Sequence, residues 1–565
     1  MRRRWRSVPL FPAVTILALL GPVVAGLVGA VLPAFGHFPA AGLSGPTLDP
    51  IKELLALPGI GHSIWLSIST GILATGLSLG VTALLLAGGA GTRFFSLVRF
   101  LLSPLLSVPH AAVAFGLAFL IAPSGWIARL ISPGLTGWDR PPDLLILNDP
   151  AGLSIVLALV VKEVPFLLLM SIAALGQVNE RQSRMVLLSL GYDSAIGWLK
   201  SVFPRVYRQI RLPVLVVLAY SMTAVDVALI LGPTTPPTLA VQIVRLMSSP
   251  DLVMRTVAAA AALLQLSLVV GALGLWWAAE RGVSALGSRW AFQGGRGQGL
   301  GIVGGLGQWL GGSVAVIVVL GLGVLAIWSV AGYWAFPDAL PDEVSFKTWR
   351  RFSGDLAVAA SDTALIALVS TLIALFLTIG CLETEYRQRL RIGPAATWIL
   401  YVPLLVPQIA FLPGLQTFMI GLGADMGRVA VVAAHIVFVL PYVFLSLSDP
   451  WRAWDSRFAT VGAALGAGAG RVLWRIRMPM LLGPILTAAA VGMAVSVGQY
   501  LPTLLIGGGR VETLTTEALA LASGGDRRAI GVFGLGQTAA ALLPFALAIA
   551  VPRILWRHRK GVLHG

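Results

Sequence analysis

The chain has 565 residues, of which 57% are hydrophobic and only 11% charged. Soluble domains carry about 25% charged residues, so a disordered chain, a fibrous chain and an ordinary soluble enzyme are excluded. A net charge of +16 and a mean hydropathy of +0.87 instead fit a polytopic membrane protein whose basic loops face one side of the bilayer, with no nucleic-acid partner.

From the N-terminus, Arg2, Arg3, Arg4 and Arg6 precede an apolar run from Val8 to Leu32. That run is longer than a signal-peptide core and long enough to span. An uncleaved first helix with its N-terminus inside is expected. Spans are predicted at 10–33, 63–88, 99–122, 151–176, 212–232, 254–279, 312–334, 361–381, 395–421, 428–448, 483–506 and 528–552. Each should be a helix, because lipid leaves backbone polar groups no other partner. Strands of a membrane barrel would alternate in polarity, and these segments do not. Twelve spans return the C-terminus to the inside. The inside segments then hold 27 Lys and Arg against 7 Asp and Glu, and the outside segments 12 against 15. This is the positive-inside pattern. Trp126, Trp276, Trp277, Trp334 and Trp556 fall near predicted interfaces, as an aromatic belt would place them.

Two halves read alike. The third and ninth spans carry PLLSVP from Pro104 and PLLVPQ from Pro403. Pro104, Pro109, Pro403 and Pro407 are read as static kinks. The fourth and tenth spans carry Pro165-Phe166 and Pro441-Tyr442. Long basic segments follow, Gln177 to Leu212 and Asp449 to Leu482. In each, a Leu-Gly pair (Leu190-Gly191, Leu465-Gly466) is followed 13 residues after the glycine by a proline, Pro204 or Pro479. Gly191 and Gly466 are 275 residues apart, as are Gly232 and Gly507. Matches in one order argue duplication into parallel repeats: a domain 1–280, a Gly-rich cytoplasmic linker 281–311, and a domain 312–565. The stretch from Gln293 to Gly299 suits a flexible linker. No Gly-Lys-Ser/Thr follows it, so it is not read as a nucleotide loop.

The basic segments are longer than topology needs. After Gly191 comes Tyr192-Asp193-Ser194-Ala195, then Ile196, Leu199, Val202 and Phe203 along one side of a helical pattern. The second copy has Val472, Ile476 and Met478 among Arg471, Arg475 and Arg477. Glycine permits a tight turn. The short helix beyond it is suited to enter a groove on a partner, and the proline is expected to end it. Interfacial helices held by anionic lipid are the alternative. Two copies with one spacing favour docking. The docking residues are Leu190, Gly191, Tyr192, Asp193 and Pro204, with Leu465, Gly466, Ala467, Gly468 and Pro479.

Charges inside the membrane are costly and face the bundle interior. Lys162 and Glu163 lie near mid-depth in the fourth span, and Asp226 in the outer half of the fifth. A Lys162–Asp226 ion pair locking two helices is the favoured reading. Glu163 or Asp226 as a transient site for a cationic solute is the functional alternative. Gln499 and Tyr500 are candidate pathway residues in the eleventh span. There is no Walker motif, no His-Glu-x-x-His and no Cys/His cluster, with Cys381 the single cysteine. His110 and His435 are read as packed or pore-lining, so neither a metal nor a cofactor is expected in this chain.

The paired segments resemble the EAA motif of binding-protein-dependent ABC importer permeases: Glu-Ala-Ala, three residues, Gly, nine residues, Ile-x-Leu-Pro. Gly466, Ile476, Met478 and Pro479 match it, as do Gly191 and Pro204, with Ser201 and Phe203 at the apolar positions. The Glu-Ala-Ala positions hold Met185-Val186-Leu187 and Thr460-Val461-Gly462. The resemblance covers nearly the whole chain, as two fused permease domains. The stretch from Gln499 to Arg528 is similar to thiamine-type double permeases, in the branch that also takes ferric iron. The resemblance implies an all-α inner-membrane transport subunit without enzymatic activity of its own. It implies two copies of a soluble ATPase that carries ATP and Mg, a periplasmic solute-binding protein, surrounding lipid, and both termini in the cytoplasm. A major-facilitator-like secondary transporter would place its long loop between the halves instead. A lipid-linked transferase would use outer acids such as Asp139, Asp143, Asp149, Asp338, Asp342 and Glu343.

Overall fold

The computed structural model describes residues 9–89, 92–297, 301–389 and 393–556, without the side chains of 103, 104, 301 and 394–397. The described residues form helices and loops. Their extended pairings are two isolated bridges, Phe38 with Leu43 and Ala331 with Val344. Among them nine helices are long and apolar enough to cross a membrane, or up to twelve if each of three bent pairs is one span. The all-helical, polytopic expectation therefore holds.

The third and ninth spans are not continuous. Helix Arg93–Leu105 stops and His110–Ile121 begins after Pro109; Pro394–Leu405 stops and Gln408–Gly421 begins after Pro407. The second pair is bent by 86°. Proline has no N–H for the helical ladder and pushes the residue before it out of the helical region. Pro109 and Pro407 both sit at N-cap positions with ψ of 149° and 135°. These are breaks that start a new helix, in place of the expected static kinks. The fifth and eleventh spans also break, between Ser221 and Val225 and between Val497 and Leu501.

The breaks are supported by hydrogen bonds that recur across the chain. Gln265 Nε2 donates to the carbonyl of Met222 at 3.2 Å. Gln537 Nε2 donates to Thr515 Oγ1 at 2.6 Å, and Thr515 passes the bond to the carbonyl of Val497. Met222 and Val497 are 275 residues apart. Leu239 N–H donates to Ser67 Oγ, and Leu514 N–H to Thr363 Oγ1, both at 3.0 Å. Thr238 and Thr513 cap the two following helices. A buried carbonyl freed by a helix break needs a donor: Gln265 reaches Met222 directly, and in the other half Thr515 stands between Gln537 and Val497.

The first helices cross over. Leu10–Ala34 packs on Gln408–Gly421 and on Ser353–Gln388, while Gly301–Ser329 packs on Ile60–Gly89 and His110–Ile121. Glycines set the approach: a Cβ at Gly26 would strike the carbonyl of Phe411, and one at Gly307 the carbonyl of Leu84. Small residues let membrane helices pack backbone to backbone.

Less of the expected linker is free. Helix Met254–Phe292 runs on well past residue 280, and the next helix starts at Gly301. Residues 298–300 lie outside the described residues. Residues 293–297 are docked: Arg296 carbonyl accepts from Asp193 N–H at 2.9 Å, and Gly295 carbonyl from Lys200 Nζ at 2.7 Å.

Candidate functional site

Two sites emerge, one at the long basic segments and one between the broken helices. At the first, Glu180–Ser189 and Arg457–Ala464 each end in a left-handed glycine, Gly191 with φ +79° and Gly466 with φ +78°. The caps are the same bond for bond. Gly191 N–H reaches Leu188 carbonyl and Tyr192 N–H reaches Leu187 carbonyl; Gly466 N–H reaches Ala463 carbonyl and Ala467 N–H reaches Gly462 carbonyl. This is a Schellman termination, which favours glycine because a Cβ is strained there.

In the first segment the helix before the glycine carries the exposed apolar side chains; in the second they lie on both sides of it, with Trp474 beyond Gly466 at 68% exposure. Met185, Val186, Leu188 and Leu190 are exposed in the first segment, and Phe458, Val461 and Leu465 in the second, with Leu465 at 82%. No residue of Glu180–Ser189 is buried. The expectation that docking lies on the helix after the glycine is corrected for the first segment. In Ser194–Ser201, residues Ala195, Ile196, Gly197 and Trp198 are buried. Its amphipathic pattern faces the protein's own interior. Asp193 caps that helix, accepting from Ala195 N–H at 3.0 Å and Ile196 N–H at 3.2 Å. Gly468 stands at the matching cap with no side-chain bond. Pro204 opens a helix, in the first turn of Phe203–Ser221, where its missing N–H costs nothing. Pro479 stands in the last turn of the helical run Ala469–Met480, which ends there as expected.

The second site centres on buried ionisable groups. Lys162, Glu163 and Asp226 are each under 9% exposed. Lys162 does not pair with Asp226. Its Nζ donates to the carbonyls of Leu105 at 3.2 Å and Leu106 at 2.7 Å, and to that of Val108. These are the carbonyls stranded where helix Arg93–Leu105 stops, and an ammonium satisfies three at once. Glu163 Oε1 instead meets His110 Nε2 at 3.3 Å. The His110 ring lies 4.7 Å from the ring of Tyr220, and Tyr220 O–H donates to Asp226 Oδ1 at 3.5 Å. From the other half, Tyr442 lies within electrostatic reach of Glu163, and Tyr500 of Asp226. Gln408 Nε2 donates to Gln499 Oε1 at 3.0 Å. Glu163, Asp226, Gln499 and Tyr500 thus fall at broken helices, whereas Lys162 is consumed in holding one of them.

His110 was read as packed or pore-lining, whereas Tyr220, Gln408 and Tyr442 were not singled out as pathway residues from sequence. A signal existed: His110 and Gln408 both follow the second proline of the repeated motif. His435 is packed, between Ser496 Oγ at 2.8 Å and Thr503 Oγ1 at 3.0 Å. Among the described residues, no three His, Cys, Asp or Glu are grouped to hold a metal ion.

No family model matches the chain. Among curated proteins, the chain is 30% identical over 554 residues to the inner membrane ABC transporter permease protein YnjC of Escherichia coli, covering 97% of this chain and 98% of that protein. It is 28% identical over 190 residues to the molybdenum transport system permease protein ModB of Mycobacterium tuberculosis, covering 31% of this chain and 72% of that one. It is 24% identical over 177 residues to the spermidine/putrescine transport system permease protein PotC of Haemophilus influenzae, covering 31% and 69% respectively.

Proposed function

We propose that this chain, which belongs to the inner-membrane ABC transporter permeases, is a fused double permease that forms the solute pathway of an ATP-driven importer. The division into a domain 1–280 and a domain 312–565, joined across 281–311, is part of this reading. So are two cytoplasmic termini. The observation that carries it is the pair of glycine-capped helices, Glu180–Ser189 and Arg457–Ala464, with apolar side chains left in the open. Exposed apolar side chains repeated in both halves mark a protein interface. Two copies of a soluble ATPase, holding ATP and Mg, dock there, one on each helix. Their closing and opening moves the two halves through Leu190, Gly191, Tyr192, Asp193 and Pro204 on one side and Leu465, Gly466, Ala467, Gly468 and Pro479 on the other. A periplasmic binding protein delivers solute to the outer face.

The solute is a small cation, in the class of thiamine or a ferric ion. Two carboxylates, Glu163 and Asp226, stand among Tyr220, Tyr442 and Tyr500. The two carboxylates outnumber the neighbouring ammonium of Lys162, which is turned toward three backbone carbonyls. Such a lining attracts positive charge and offers ring faces to an organic cation. An oxyanion would meet net repulsion.

The test is a pull-down of the tagged chain from solubilised native membranes. A soluble ATPase should co-purify with the intact chain and be lost when 180–190 and 457–465 are replaced by flexible linker. Transport driven by an ion gradient in proteoliposomes without any ATPase would contradict the proposal. For the solute, Glu163→Gln with Asp226→Asn should abolish uptake while leaving the ATPase bound.

A further inference from the structure

Where the cytoplasmic ends of Ser353–Gln388 and Arg428–Ala453 meet residues 473–477, the chain forms an open cleft of about 360 Å³. Tyr386, Trp451 and Trp454 line it together with Arg389, Arg452 and Arg477. Three guanidiniums thus face one lining carboxylate, Glu385, which is engaged by Arg452 at 3.1 Å.

Arg477 is buried, with 3% exposure. It bonds Glu383 Oε2 at 3.1 Å and the Trp451 carbonyl at 2.8 Å. Tyr386, Trp451 and Trp454 surround it at 4.3 to 4.7 Å. Yet its Nε has no acceptor, nor have the indole N–H groups of Trp451 and Trp454. Buried donors are normally satisfied. Arg389 also makes no side-chain hydrogen bond or ion pair among the described residues. It ends its helix with φ +50°, one of two non-glycine residues among those described with a positive φ. Such conformations are held where the surroundings, often a ligand clamp, require them.

The arrangement belongs to one half only. At the 275-residue offset, Arg477 corresponds to Val202, which is fully buried, Trp451 to Gly176 and Trp454 to Asn179. A feature needed for helix packing alone would be expected in both copies.

Surplus positive charge, unpaired donors and aromatic walls call for a compact anion with several acceptor oxygens. Arginine matches a phosphate with parallel N–H bonds. Basic pockets with Trp and Tyr at the cytoplasmic membrane face are where lipid phosphates lie. We propose that this cavity binds a phosphate group, presented by an anionic lipid headgroup or free in the cytoplasm. Bound there, it bridges Arg389 at the end of one helix to Arg477, which follows directly on the second docking segment. Phosphate occupancy thus sets how firmly that segment, and not its counterpart, is tied to the membrane domain.

The test uses the purified, delipidated full chain without any ATPase, so it stands apart from the docking reading. The probes are phosphatidylglycerol in neutral detergent and, separately, inorganic phosphate; the readouts are thermal unfolding and native mass spectrometry. Arg389→Gly removes the guanidinium and suits the positive φ, so it should fold. Arg140→Ala, at an exposed position elsewhere, is the control. A rise in unfolding temperature with phosphatidylglycerol that survives in R140A and falls at least threefold in R389G supports a lipid phosphate. The same Arg389-dependent pattern with inorganic phosphate supports a soluble one. Equal responses of R389G and the unsubstituted chain to both probes would overturn the proposal.

Discussion

The two long basic segments share a turn and differ in what holds it. Gly191 and Gly466 make the same cap with the same carbonyls. Beyond it the first segment is tied down. Asp193 caps a buried helix, Arg296 carbonyl receives Asp193 N–H, and Lys200 lies 4.6 Å from the centre of the Trp290 ring. The second segment has Gly468 in place of the cap and remains largely exposed from 463 to 471. Its anchor is one buried arginine, Arg477, where the first has Val202. The turn is thus duplicated while its mounting is not: a capped, buried helix holds one copy, and the arginine–glutamate pairs Arg477–Glu383 and Arg452–Glu385 help to hold the other.

Arg477→Ala should have the largest effect. It removes a buried cation from Glu383 and from three aromatic rings. Breaking a buried pair costs about 3–5 kcal/mol, and the low end applies because Glu383 keeps Arg387 at 2.6 Å. Val202→Ala, at the matching place, removes two buried carbons and should cost only about 1.5 kcal/mol. Denaturant unfolding of the solubilised chain distinguishes the two; equal losses would mean the anchors are equivalent after all.

Gly191→Ala and Gly466→Ala come next. Each forces a Cβ into the left-handed region at a cost of roughly 1–2 kcal/mol. Because the caps match, the two should lose ATPase retention to the same degree in a pull-down. A loss in only one would show that a single segment docks.

Asp193→Ala is smaller, about 1 kcal/mol for a lost N-cap, and confined to the first segment. The reciprocal Gly468→Asp should stabilise the second by a few tenths of a kcal/mol. Hydrogen exchange of 194–201 and 469–477 reads both changes. Faster exchange in 469–477 upon Asp193→Ala would show that the segments are coupled.

Sequence showed the membrane architecture plainly, because a span must be long and apolar wherever it lies. It also showed the repeat, since glycine and proline spacing survives where other residues have changed. It did not show that the helix after Gly191 packs on the chain itself. The apolar pattern at Ile196 and Trp198 is that of a face packed on its own protein, and periodicity does not say which body covers a face. It misread Lys162 as the partner of Asp226, because the backbone carbonyls of Leu105, Leu106 and Val108 leave no mark in a list of side chains. The crossing of the first helices was equally silent, since Gly26 and Gly307 reach their partners only in space. His110 was legible from its place after Pro109, and needed only the comparison with Gln408 to be seen.

The central claim is that the helices before the two glycines, and not those after them, receive the ATPases. Single cysteines at Met185 and at Val461, in a Cys381→Ser background, would be cross-linked in membranes with a short bifunctional reagent. Cross-links from both positions to one soluble ATPase, absent from cysteines at Trp198 and Val202, are the predicted result. Cross-links from Trp198 or Val202 alone, or from neither helix before the glycines, would contradict the account.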